Sequence, residues 1–370
     1  MAPERPPSHP AGSHPSTRRC VGWFVIGAIA TLLLAPAGAE AHARWFTAEG
    51  PYSAPEWDRL VSLPVALALG SGLAAVVALG LLQRVLGDPL WPRPPFFQRL
   101  EPSAAAILGV QAAITMIFMA SRLNLFVPNI QLPRNLLGVL IAGVTVVAAF
   151  SFITGVLTRV GALVTIGLVI LAFAFAPPYE VLEQVIYVGI ALYLLAVGRG
   201  VVRYEDRTEE DRSPLSDRLL PYALPLLRVC AGVSVLILGF TEKLINGNLG
   251  AAFLADRPRF NVARELGLSW FTDERFIYAV GIVEVTAGIA LLSGYLTRVV
   301  ILALWIPFNL GIAFLPAEEL IGHLPILSTM YVLLVRGTEG IPPPVEERPR
   351  AADPVPRQRA AAVAAPVPRT

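Results

Sequence analysis

Arg228 and Glu284 stand inside long apolar runs. A charge there costs about 2.5–3.5 kcal/mol on insertion scales and is retained where it faces a partner or a polar interior. On helices rising 1.5 Å per residue, Arg228 lies roughly 10 Å and Glu284 roughly 13 Å from the inner ends of their runs, depths that allow an ion pair. Such a pair has two readings: a polar site for a headgroup, a quinone or a proton, or a salt bridge that only orients two helices. A second set gathers at the outer face. Glu242 and Lys243 end one apolar run, and Glu318, Glu319 and His323 begin a later one. Between them the loop 244–275 mixes Phe253, Leu254, Phe260, Leu266, Trp270 and Phe271 with charges, as a cover lying on lipid or roofing a pocket would.

Metal chemistry has few ligands to draw on. Four histidines occur, and His9 and His14 precede the first apolar run, so a processed chain keeps His42 and His323. Both are expected outside, which excludes a pair of axial haem ligands, and no HExxH, CxxCH or Cys/His cluster suggests a zinc hydrolase. If processing makes His42 the first residue, its amine and imidazole form a nitrogen set suited to copper, with His323 or a nearby carboxylate completing the site. Otherwise His42 is a polar residue at a signal junction, followed by Arg44-Trp45-Phe46 as an interfacial anchor. Cys20 and Cys230 form no CxxC pair, so dithiol chemistry within the chain is not expected.

The elements that must position these groups are membrane helices. Mean hydropathy is +0.62, and 55% of the 370 residues are apolar against 15% charged, too few polar groups to face water. The net charge of +2 is spread between apolar runs, so nucleic acid is not an expected partner and the lipid bilayer is. Residues 1–41 have the form of a signal peptide, with Arg18-Arg19, an apolar run from Val21 to Leu34, and Ala39-Glu40-Ala41 before the cleavage point; the alternative is an uncleaved tenth span. A core of roughly 30 Å takes about 20 helical residues. Nine runs of suitable length follow, at 60–82, 103–121, 136–154, 159–176, 180–197, 221–241, 276–293, 298–315 and 319–335. Arg84, Arg93 and Arg99, then Arg199 to Arg218, then Arg336 fall on one side. That predicts a plasma (inner) membrane protein with its N-terminus outside and its C-terminus cytoplasmic.

An internal repeat organises the spans. Gly155-Val156-Leu157-Thr158-Arg159-Val160 recurs 139 residues later as Gly294-Tyr295-Leu296-Thr297-Arg298-Val299, and the register holds from Phe175/Phe314 to Gly198/Gly337. Each unit has four spans, so the copies share one orientation about an axis along the membrane normal. The expected fold is all-α: two tandem parallel four-helix transmembrane bundles plus one N-terminal span. Its segments are an N-terminal stretch 42–58, a first helix and linker 59–102, units 103–198 and 221–337 joined by a cytoplasmic loop 199–220, and a disordered tail 338–370. The hexapeptide is expected to be a tight inner turn, with glycine ending one helix, threonine capping the next, and Arg159 and Arg298 reaching headgroups. Without gaps, the first helices align Gly109 with Arg228 and Asn124 with Lys243, and Glu284 falls opposite Thr145. Only the second copy then carries intramembrane charge, so chemistry is expected within 221–337.

The second unit resembles the DoxX family of small four-helix membrane proteins. The resemblance rests on Arg228 and Gly232, the Gly239…Lys243 ending, Gly281-Ile282-Val283-Glu284 with Gly288, and Gly294-Tyr295-Leu296-Thr297-Arg298. The first unit resembles a degenerate copy that keeps the turn. Some family members are linked to quinone-dependent sulfur oxidation or to redox stress. The resemblance therefore implies a non-catalytic membrane subunit of a quinone-linked or redox-stress system, associated with other membrane or redox subunits, with Arg228, Lys243 and Glu284 lining a quinone or headgroup site. A transporter or lipid-binding module using the same residues, and copper handling through His42, are the other readings.

Overall fold

The computed structural model describes residues 55–199, 214–312 and 317–342. The expected signal segment, His42 and most of the tail lie outside the described residues. The protein is an all-α, polytopic integral membrane protein: every regular element among the described residues is helical. In a bilayer interior a helix satisfies its own backbone donors and acceptors, which these apolar runs have no other means to do. Among the described residues, five segments are long and apolar enough to cross: Leu63–Leu86, Phe96–Ala120, Leu136–Thr154, Pro214–Leu244 and Asp273–Ser293. Leu73, Val77, Leu81, Val147 and Ile170 project from the bundle surface, a boundary suited to lipid rather than water.

The elements that position the site are α1 Leu63–Leu86, α2 Ala104–Ala120, α3 Leu136–Thr154, α4 Thr158–Ala172, α5 Pro178–Glu183 and α6 Ile186–Val197. There follow α7 Ala223–Leu238, continued by a π-helical turn Gly239–Leu244, α8 Gly247–Asp256, α9 Asp273–Ser293, α10 Thr297–Ile312 and α11 Ala317–Arg336. Asn135 caps α3 by accepting from the Gly138 amide at 3.2 Å, and Thr272 caps α9 by accepting from Arg275. Short helices within 247–265 fold back on α9, burying Leu249, Phe253, Leu254 and Phe260 against Phe276, Ile277 and Val280. The loop 244–275 is thus a packed cover over its described length. Arg264 pairs with Asp273 at 3.0 Å, so part of the loop's positive charge is neutralised on the spot.

The repeat is visible in backbone and side chains. Gly155 and Gly294 both take positive φ (83° and 76°), as do Leu157 and Leu296 (50° and 42°) and Gly198 and Gly337 (72° and 67°). Nε of Arg159 donates to the Leu195 carbonyl, and Nε of Arg298 donates to that of Leu334, the equivalent atom 139 residues on. These arginines hold the last carbonyls of a neighbouring helix, where a helix end leaves acceptors unfilled. The expectation that they reach headgroups is corrected most clearly for Arg298, which is buried and also holds the Leu90, Pro92 and Val335 carbonyls. The threonines do not cap amides either. Thr158 and Thr297 donate to the carbonyls of Ser151 and Gly294.

The two units interlock. Helix α6, which ends the first, packs along α7, which begins the second, and α11 packs along α2. Ser234 of α7 donates to the Glu183 carbonyl, and Thr115 of α2 donates to the Ile321 carbonyl at 2.6 Å. A hydroxyl at the same helical position in each copy thus holds the last segment of the other copy. One apolar core runs through both units. Helix α1 lies outside this pair and packs on α9, where the Ser71 and Thr286 hydroxyls meet at 2.9 Å.

Gly294 illustrates how closely the turn is fitted. It ends α9 in the left-handed region, and a Cβ there would overlap the Arg228 guanidinium. Gly294→Ala is expected to lower stability by about 2–3 kcal/mol through strain and loss of the Arg228 bond. Gly143→Ala, which meets open space, is the matched control, and thermal unfolding in detergent reads both.

Candidate functional site

The expected Arg228–Glu284 ion pair is replaced by two separate arrangements. The helical rod containing Arg228 begins inward of the expected span end, at Pro214, so the guanidinium is level with Gly294 at the end of α9. There Nη1 donates to the Leu291 carbonyl at 2.9 Å. Glu284 sits ten residues back along α9, about 15 Å away along the axis. Arg228 also has a counterpart in the first copy: Arg199 donates to the Phe152 carbonyl at 2.7 Å, and Phe152 and Leu291 are repeat equivalents. The counterpart comes from the end of α6, not from Gly109, whose Cβ would come 3.2 Å from that same carbonyl. Arg228 closes a helix end, where the positive guanidinium suits the negative pole of the helix.

Glu284 pairs with Lys243 instead. Their N–O distance is 3.0 Å, and Glu242 approaches the same ammonium at 3.7 Å. All three side chains are buried. Two features bring the pair together. The π turn widens the end of the α7 rod, so Thr241, Glu242, Lys243 and Leu244 are buried in succession. Gly239 and Gly281 remove side-chain bulk where the helices meet: a Cβ at Gly239 would come 3.0 Å from that of Glu284, and one at Gly281 3.0 Å from that of Lys243.

The first copy contributes as well, correcting the expectation that intramembrane charge belongs to the second alone. Glu183, at the end of α5, is 1% exposed, and its Oε1 accepts from the Thr241 hydroxyl at 2.5 Å. Beside it lies a narrow, partly open cavity. Its polar wall is Gln184, Tyr187, Ser234 and Glu284; Phe126, Val127, Ile186, Val235, Leu238, Pro325 and Ile326 line the rest, with Gly322. The polar side chains at and beside the cavity are thus drawn from both units. Gln184 had a readable signal, since the 139-residue offset pairs it with His323. Glu183 breaks the apolar run 180–197 as Glu284 breaks its own.

His323 is buried on α11, next to the cavity-lining Gly322. The side chain of Glu319, like all of His42, lies outside the described residues, and no group of three metal-ligating side chains occurs among the described residues. The chain matches no protein-family model, no curated protein and no solved structure.

Proposed function

We propose that the protein is a DoxX-like, non-catalytic membrane subunit of a quinone-linked or redox-stress system, and that the cavity between its two units holds the quinone. The observation that carries this reading is the cavity: apolar walls from both copies, a few polar side chains at one wall, and an ion-paired carboxylate among them. Apolar walls suit a ring and tail, and a small number of fixed polar groups orients a head, the usual division in small-molecule sites. Gln184 and Tyr187 from the first copy and Ser234 and Glu284 from the second would surround the head. The bound quinone would supply the electron-carrying chemistry. The protein's own groups bind it, orient it and keep water out. The distribution of arginines supports placement in the plasma membrane with the N-terminus outside and the C-terminus cytoplasmic.

The test is chemical analysis of what purifies with the chain. Full-length protein in mild detergent is expected to retain near-stoichiometric quinone in its organic extract, and Val235→Phe, which fills the cavity from α7, is expected to lose it with the fold intact. Equal quinone in both proteins, or phospholipid alone in the wild type, would overturn the reading, the latter in favour of a lipid-binding module.

A further inference from the structure

The four polar side chains of the cavity wall differ in what they have left to give. The Ser234 hydroxyl is committed to the Glu183 carbonyl. The Tyr187 hydroxyl is engaged with Thr115, and Glu284 is engaged by Lys243. Gln184 stands apart: it is 3% exposed, it lines the cavity, and its amide nitrogen has no hydrogen-bond partner among the described residues. A buried donor without an acceptor is costly, and native proteins rarely leave one so unless something else meets it.

We infer that Gln184, supplied by the first copy, is the donor that selects the ligand of this cavity, and that the ligand is a lipid-soluble molecule whose head carries an uncharged acceptor oxygen such as a carbonyl. This rests on the preceding reading that the cavity holds a lipophilic ligand, and it adds the group that reads the head. The chemistry follows from what the wall offers. An amide N–H recognises a neutral acceptor, and Lys243, the ammonium nearest the wall among the described residues, already sits between Glu242 and Glu284. Among the described residues that leaves no uncommitted positive charge at the wall for a phosphate or carboxylate head. Apolar side chains cover the remaining wall and suit a hydrocarbon tail. Gln184 is thus a specificity-determining residue, in a cavity that takes Ser234, Val235 and Leu238 from α7 and no residue from α2.

The experiment compares two probes on full-length protein in nanodiscs: a benzoquinone with a decyl tail, and decylbenzene, which has the same tail and no acceptor. Wild type is expected to bind the quinone more tightly. Gln184→Met is expected to weaken quinone binding about tenfold, the worth of one buried hydrogen bond, and to leave decylbenzene binding unchanged. The carbonyl stretch of quinone bound to the wild type, read by infrared spectroscopy, is expected at lower frequency than in alkane. This second measurement needs no variant and decides the matter should Gln184→Met fail to fold. Unchanged quinone affinity in a folded Gln184→Met, or an unshifted carbonyl stretch in the wild type, overturns the inference while the cavity reading stands. Wild type that binds neither probe overturns both.

Discussion

Lys243→Ala is expected to destabilise the protein by about 3–5 kcal/mol, the cost of leaving a buried carboxylate without its counter-charge. The side chain is 1% exposed and lies between Glu242 and Glu284, so its removal strands two acidic groups in a place water does not reach. Lys243→Met combined with Glu284→Gln should recover more than half of the loss, because an uncharged pair of similar volume carries no desolvation penalty for ions. Thermal unfolding of the full chain in detergent, followed by tryptophan fluorescence, measures all three proteins. A loss below about 1 kcal/mol for Lys243→Ala would mean that the ammonium is solvated and the buried cluster is not as described. The double variant also separates structure from binding: if it is folded and still retains quinone, the pair orients helices and does nothing for the ligand.

Arg298→Ala is expected to cost about 3 kcal/mol by a different route. One guanidinium fills the carbonyls of Leu334 and Val335 at the end of α11 and those of Leu90 and Pro92 in the linker after α1. Its loss leaves those acceptors empty and releases the linker from the bundle. Two readouts follow, a lower unfolding midpoint and faster proteolysis within 87–103. Arg159→Ala, at the equivalent turn where the arginine is half-buried, should lose less than half as much. Equal losses for the two arginines, with the linker as resistant as in wild type, would show that Arg298 does not tie the segments together.

The helices were legible because length and hydropathy act locally: each of the nine apolar runs forms helix over most of its length. The repeat was legible because the turn Gly294-Tyr295-Leu296-Thr297-Arg298 needs a glycine in the left-handed region and an arginine at one position, requirements that preserve letters. The partner of Glu284 was misread because a depth estimate depends on where each helix starts, and the rod carrying Arg228 starts at Pro214, well before the apolar run. Arg199 as the counterpart of Arg228 was hidden for another reason. The same carbonyl position is filled from α6 in one unit and from α7 in the other, and a linear alignment compares positions, not the atoms they serve. Glu183 was overlooked because it lies near the end of a run, yet burial through the neighbouring unit makes it an interior group.

The reciprocal packing of α6 on α7 and of α11 on α2 has a consequence for having both units in one chain. Two identical four-helix subunits related by a two-fold axis would place the same side chain on both sides of that axis, so a carboxylate and lysine on one side would be matched by a second set on the other. The covalent link removes that constraint. Glu284 here is answered across the pseudo-axis by Thr145, and His323 by Gln184. It also makes the meeting of the units independent of how dilute the protein is in the membrane, since each half is held at the other's high effective concentration. A fused pair can therefore place a carboxylate on one side of the pseudo-axis and a neutral side chain on the other.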